Sequence, residues 1–96
     1  SGSITLDFKS YANFILTFTG DVTFANPSTE EIGQSGVIVC IQDGTGGRTL
    51  TLSSDFETAS GLGVSLSSAA NSVDIIPYII KAQNSILLGK TQKAFQ

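Results

Sequence analysis

The sequence predicts an all-β domain: a small antiparallel β-sandwich or jelly-roll-like fold of seven or eight strands. Three observations predict it. Apolar residues recur at every second position along most of the chain, the period of a half-buried strand. Turn residues interrupt the pattern every 8–12 residues or so, the punctuation of a sandwich or barrel. No segment sustains a 3.6-residue period, and there is no internal repeat.

The elements follow in order. Ile4, Leu6 and Phe8 alternate with Thr5, Asp7 and Lys9, giving a first strand. Phe14, Leu16 and Phe18 give a second, and Gly20-Asp21 punctuates before Val22 and Phe24 restart the pattern. Asn26-Pro27-Ser28 signals a turn, and Thr29-Glu30-Glu31-Ile32 is expected to form one helical turn in a polar loop. Val37 to Ile41 is apolar on both faces, as in a central strand. Residues 43–47, Asp-Gly-Thr-Gly-Gly, supply backbone positions with positive φ at low steric cost, and Arg48 to Ser53 returns as a strand. These two runs are expected to pair as a hairpin. Leu62, Val64 and Leu66 suggest a short strand in a stretch rich in small residues. Val73 to Ala82 is the most hydrophobic segment, with Pro77 at its middle. Proline donates no ladder hydrogen bond, so this strand is expected at an edge or bulged there. An edge strand apolar on both faces needs a cover, which points to a subunit contact. Gln83-Asn84-Ser85 turns the chain into a last strand from Ile86, running on toward Phe95.

The 96 residues make one domain with one small core. Only 14% of them are charged, against about 25% in ordinary domains, and mean hydropathy is +0.22. With 13 serines and 10 threonines, the surface is either a neutral hydroxyl-rich β surface or partly covered by other subunits. A net charge of −3 argues against nucleic acid, whose phosphates require Lys and Arg. No apolar run reaches the ~20 residues that span a bilayer, so no membrane insertion is expected, and no signal peptide is expected either. The chain begins Ser1-Gly2-Ser3 without an initiator methionine, and Phe95-Gln96 reads as a natural end. The expectation is a C-terminal fragment of a longer protein.

Side-chain chemistry excludes most catalysis. There is no histidine, so Ser-His-Asp and Cys-His sites and His/Cys zinc sites cannot be built. Cys40 is alone, in an apolar run without a basic neighbour, and reads as a core residue. Gly44-Thr45-Gly46-Gly47-Arg48-Thr49 lacks the Lys and the following helix of a phosphate loop. The acids show neither calcium-loop spacing nor a paired-carboxylate cleft. No enzyme and no cofactor are expected. Four residues stand out as ligand or interface candidates: Tyr11, Arg48, Asp74 and Tyr78. Arg48 and Asp74 read as a structural ion pair or a ligand contact. Tyr11 reads as a sugar-stacking ring or a cap on the core edge.

Four blocks resemble a domain of bacteriophage virion proteins, found near the C-termini of tail fibres and other appendages. They are Thr19-Gly20-Asp21-Val22-Thr23-Phe24-Ala25-Asn26-Pro27, Gly33-Gln34-Ser35-Gly36, Gln42-Asp43-Gly44-Thr45-Gly46-Gly47-Arg48-Thr49-Leu50, and Leu66-Ser67-Ser68-Ala69-Ala70-Asn71-Ser72-Val73-Asp74. The third is the most specific. After Asp74 the likeness fades: those domains often carry an aromatic near the last strand, where this chain has Ile86-Leu87-Leu88. The resemblance implies a non-enzymatic module of the virion, a homotrimer associated with other virion proteins. As a tail-fibre or head-fibre module it would bind a host surface glycan or protein. As a capsid or tail decoration it would have no host-binding role.

Overall fold

The computed structural model describes residues 2–95. It is all-β apart from a 3-10 turn at Ala59–Gly61. Nine strands are present: β1 Gly2–Ile4, β2 Phe14–Phe18, β3 Val22–Phe24, β4 Ser35–Gln42, β5 Leu50–Leu52, β6 Phe56–Glu57, β7 Val73–Ala82, β8 Ser85–Leu88 and β9 Gln92–Phe95. They form a three-stranded sheet, β1-β3-β5, and a six-stranded sheet, β2-β4-β7-β8-β6, with β9 on the free flank of β7.

The path of the chain explains both sheets. Through β6, odd strands enter the small sheet and even strands the large one. Successive strands of one sheet therefore run the same way: β1 with β3, β3 with β5, and β2 with β4 are parallel. A parallel pair needs a crossover of a dozen or more residues, usually a helix. Here the crossover is a strand of the opposite sheet. The β7–β8 hairpin then inserts between β4 and β6, antiparallel to β4 through β7 and parallel to β6 through β8.

The two sheets share one core. Val22, Phe24 and Leu50 come from the small sheet, and Phe14, Phe18, Ile38, Cys40, Phe56, Ile76, Tyr78, Ile80, Ile86 and Leu88 from the large one. Leu6 and Phe8 join them from the link after β1. Phe8 packs edge-on against Phe14 and Tyr78 at 5.3 and 5.1 Å, and Phe24 meets Phe56 at 5.6 Å. Cys40 is buried, and burial, with the Asp74 carboxyl nearby, pushes its thiol up to about 12. It is the inert core residue that its apolar run predicts.

The structure corrects several expectations. The fold is not purely antiparallel, because β1-β3-β5, β2-β4 and β6-β8 pair in parallel, and there are nine strands rather than seven or eight. The runs on either side of residues 43–47 do not pair as a hairpin. β4 lies between β2 and β7, whereas β5 leaves for the other sheet. β7 is central rather than at an edge, flanked by β4 on one side and by β8 and β9 on the other. Its register shifts lie at Val73/Ile75 and Ile80/Ala82, not at Pro77. Pro77 is tolerated because its carbonyl, and with it the side lacking an N–H, faces Gly89 just beyond the end of β8 (2.8 Å). The first strand ends at Ile4, and residues 62–66 form no strand. The helical turn near Glu30 is absent. Instead Glu31-Ile32-Gly33-Gln34 closes a turn, with the Gln34 N–H on the Glu31 carbonyl (3.0 Å) and Gly33 at φ +88°.

Candidate functional site

The glycine-rich block at residues 42–49 is a knot of side-chain-to-backbone bonds. The Asp43 carboxylate accepts the N–H groups of Thr45 and Gly46, both at 3.1 Å, an Asx-type turn. The same carboxylate takes Nε and Nη2 of Arg48, at 3.3 and 2.9 Å. Chiefly the Arg48 guanidinium, and then the Gly46 N–H, bring Asp43 down to about 2. Gln42 completes the knot. Its Oε1 accepts the Arg48 N–H at 3.0 Å, and its Nε2 donates to the carbonyls of Arg48 and Ser67 at 2.8 and 3.0 Å. Gly46 sits at φ +75°, and a Cβ there would lie 2.6 Å from the Ser68 carbonyl oxygen.

Asp74 is buried on the core side of β7 and does not pair with Arg48, whose carboxylate is Asp43. Asp74 accepts the Ser67 N–H at 2.7 Å and the Ala94 N–H at 2.8 Å. It thus fastens both the 62–72 link and β9 to β7. The structure brings the two tyrosines to one corner. The Tyr78 hydroxyl donates to the Ala12 carbonyl and accepts Gln34 Nε2 at 3.1 Å, and Gln34 Nε2 also reaches the Tyr11 carbonyl at 3.0 Å. Tyr78 is buried, whereas Tyr11 is 63% exposed with its ring 6.4 Å from Phe14. Gln34 links the Tyr11 carbonyl to the Tyr78 hydroxyl there, while Arg48 and Asp74 act separately as ties.

Among the described residues no three metal-ligating side chains converge. An open groove of about 660 Å³ runs between β5, β6 and the 61–64 link. Its one ionisable lining residue is Glu57, and that carboxylate accepts the Ser85 hydroxyl at 2.6 Å. Among the described residues no helix is long and apolar enough to cross a membrane.

The feature without a structural use is the outward face of the six-stranded sheet. Alternation puts Ile38, Cys40, Asp74, Ile76, Tyr78 and Ile80 inside, so their neighbours point out. The register lines those neighbours up across strands. Ile15, Val39 and Ile75 form one row, Ile41, Val73 and Phe95 another, and Ile79 and Leu87 a third, with Val37 opposite Pro77. Ile15 is 73% exposed, and Ile79 and Phe95 are nearly half exposed. A solvated sheet face carries polar residues at these positions. The apolar run of 37–41 held this information, but periodicity alone cannot say whether the second face of a central strand is covered.

Residues 4–85 match the family model described as putative phage tail fibre C-terminal domain. The chain belongs to this family. No curated protein and no solved structure matches it. Membership gives the tail-fibre domain a structural role in a phage virion. The blocks that carry the resemblance prove to be its ties. Asp21 accepts the Thr49 N–H at 3.0 Å and so joins β3 to the start of β5. Asn26 bonds Ser54 Oγ at 3.0 Å and the Asp55 N–H at 2.8 Å, closing the other ends of those strands. Gly36 lets β4 pass the 10–13 loop, where a Cβ would fall 2.1 Å from the Ala12 carbonyl oxygen. Gln42, Asp43, Arg48 and Asp74 complete the set. In this chain these residues build a frame of side-chain-to-backbone ties.

Proposed function

We propose that this tail-fibre domain is a distal module of a longer fibre chain, a homotrimer held through the outward face of its six-stranded sheet. The observation that supports this most is the apolar row Ile15-Val39-Ile75, continued by Ile41, Val73 and Ile79. Contiguous apolar surface on a soluble domain marks an interaction site, and a fibre assembled from identical chains has copies of itself as its nearest partners. Replacing Ile75 by Lys places a charge at the centre of that row while leaving the inward side chains untouched. Light scattering after gel filtration is expected to give a trimer for the native chain and a monomer for Ile75→Lys, with equal circular dichroism. A native chain that is monomeric at high concentration would remove the proposal.

Host recognition belongs to the loops at the Tyr11 corner. The exposed Tyr11 ring stands on a loop that Gln34 and Gly36 brace from the β3–β4 side. An aromatic ring presented on a rigid loop suits a glycan or protein surface. Tyr11→Ala is expected to lower binding to host cells at least tenfold with unchanged stability, corresponding to about 1.4 kcal/mol. Native binding to no host surface would favour a decoration or assembly role on other virion proteins.

A further inference from the structure

Two carboxyl groups lie inside the protein side by side, one of them on Asp55, whose main-chain N–H is held by Asn26. Glu30, in the β3–β4 loop, is 3% exposed, and Asp55, just before β6, is 5% exposed. Their side chains are within hydrogen-bonding reach of each other. Both Glu30 carboxylate oxygens and Asp55 Oδ2 are fully enclosed and take no hydrogen bond from any protein group. The main chain around them is fixed. Gln83 Nε2 donates to the Glu30 carbonyl at 2.9 Å, and the Asp55 N–H and carbonyl bond to Asn26 Oδ1 and the Ile86 N–H, each at 2.8 Å.

Among the described residues no basic group forms an ion pair with them. Burial first, and then the neighbouring Glu30 carboxyl, push Asp55 up from the ordinary carboxylate value. Of the charged residues on the adjoining segments, Glu57 is taken by Ser85, and Glu31 and Lys81 are exposed. Two enclosed, unpaired carboxylates are costly, and buried charge is normally paired or coordinates a metal. A single shared proton satisfies two of the three unpartnered oxygens. A doubly charged cation satisfies all three and cancels both charges. We propose that Glu30 and Asp55 bind one hard divalent cation, with Ca²⁺ the best fit, and that the ion ties the β3–β4 loop to the start of β6. Ca²⁺ accepts bidentate and monodentate carboxylates in irregular geometry and fills its shell with carbonyls and water, whereas Mg²⁺ demands a regular octahedron.

Thermal melts of the chelator-treated protein test this, with Ca²⁺ or Mg²⁺ added back at neutral pH and at about pH 5. Saturating Ca²⁺ is expected to raise the native midpoint at neutral pH by about 5–10 °C. The gain should shrink at the lower pH, where protons compete for the same oxygens. Glu30→Gln and Asp55→Asn, both near-isosteric, are expected to fold and to lose the response. A Ca²⁺ response kept in both variants would place the ion elsewhere and overturn the proposal. So would a native midpoint indifferent to Ca²⁺, and one that also falls as pH rises from about 5 is the signature of a shared proton alone. Neither result bears on self-association, which the sheet face governs.

Discussion

At the scale of single residues, the domain is organised by short polar side chains that replace missing backbone partners. Gln42 is the clearest instance. Its amide meets both the N–H and the carbonyl of Arg48, as a neighbouring strand would. Gln42→Leu is expected to cost about 1–3 kcal/mol in urea unfolding, since it leaves enclosed backbone groups unpaired. Gly46 and Gly47 both have positive φ, +75° and +72°, yet only Gly46 is crowded. Gly47→Val therefore meets backbone strain alone, about 1–3 kcal/mol. Gly46→Val adds a collision with the Ser68 and Ala70 backbone and is expected to be the more destabilising of the two by thermal melts. Asp43 supplies a pH dependence. Its folded value, about 2, lies below its ordinary value of 3.8. Its contribution is thus complete above the ordinary value and is lost as pH falls from there toward 2. In acid melts the native protein should lose stability relative to Asp43→Asn across that window, and a constant difference would refute the role given to Asp43.

At the scale of elements, the sequence disclosed which residues are inside better than which strands are neighbours. Phe14, Phe18, Val22, Phe24, Ile38, Cys40, Ile76 and Ile80 all fall on the buried phase of their alternation. Alternation is a local property, so it survives any choice of partner. Partner choice is not local. The link 43–49 fits a hairpin, yet β5 pairs with β3 across 28 positions because β4 lies in the opposite sheet. Pro77 misleads for a related reason. A proline is barred only where a neighbouring strand would accept its N–H, and β8 ends at Leu88, just short of that point. Tyr11 and Tyr78 were visible as candidates, but nothing 66 residues apart in sequence announces the bond from Tyr78 to Ala12. Glu30 read as part of a solvated polar loop, yet it is buried, and nothing in the sequence around Asp55 announced that it is enclosed beside it. Ile76, fully enclosed at the centre of β7, tests the element scale. Ile76→Ala is expected to cost about 2–5 kcal/mol in urea unfolding.

At the scale of the molecule, the frame and the proposed interface are separate. Ties such as Asp21, Asn26, Asp43 and Asp74 hold two sheets around one core. The outward face of the larger sheet contributes nothing to that core, which leaves its apolar rows free for a partner. The most direct measurement is the molar mass of the native chain and of Ile75→Lys by light scattering at the same concentration. The account predicts a trimer that the substitution reduces to a folded monomer. A folded native monomer, or an oligomer that Ile75→Lys leaves intact, would contradict it.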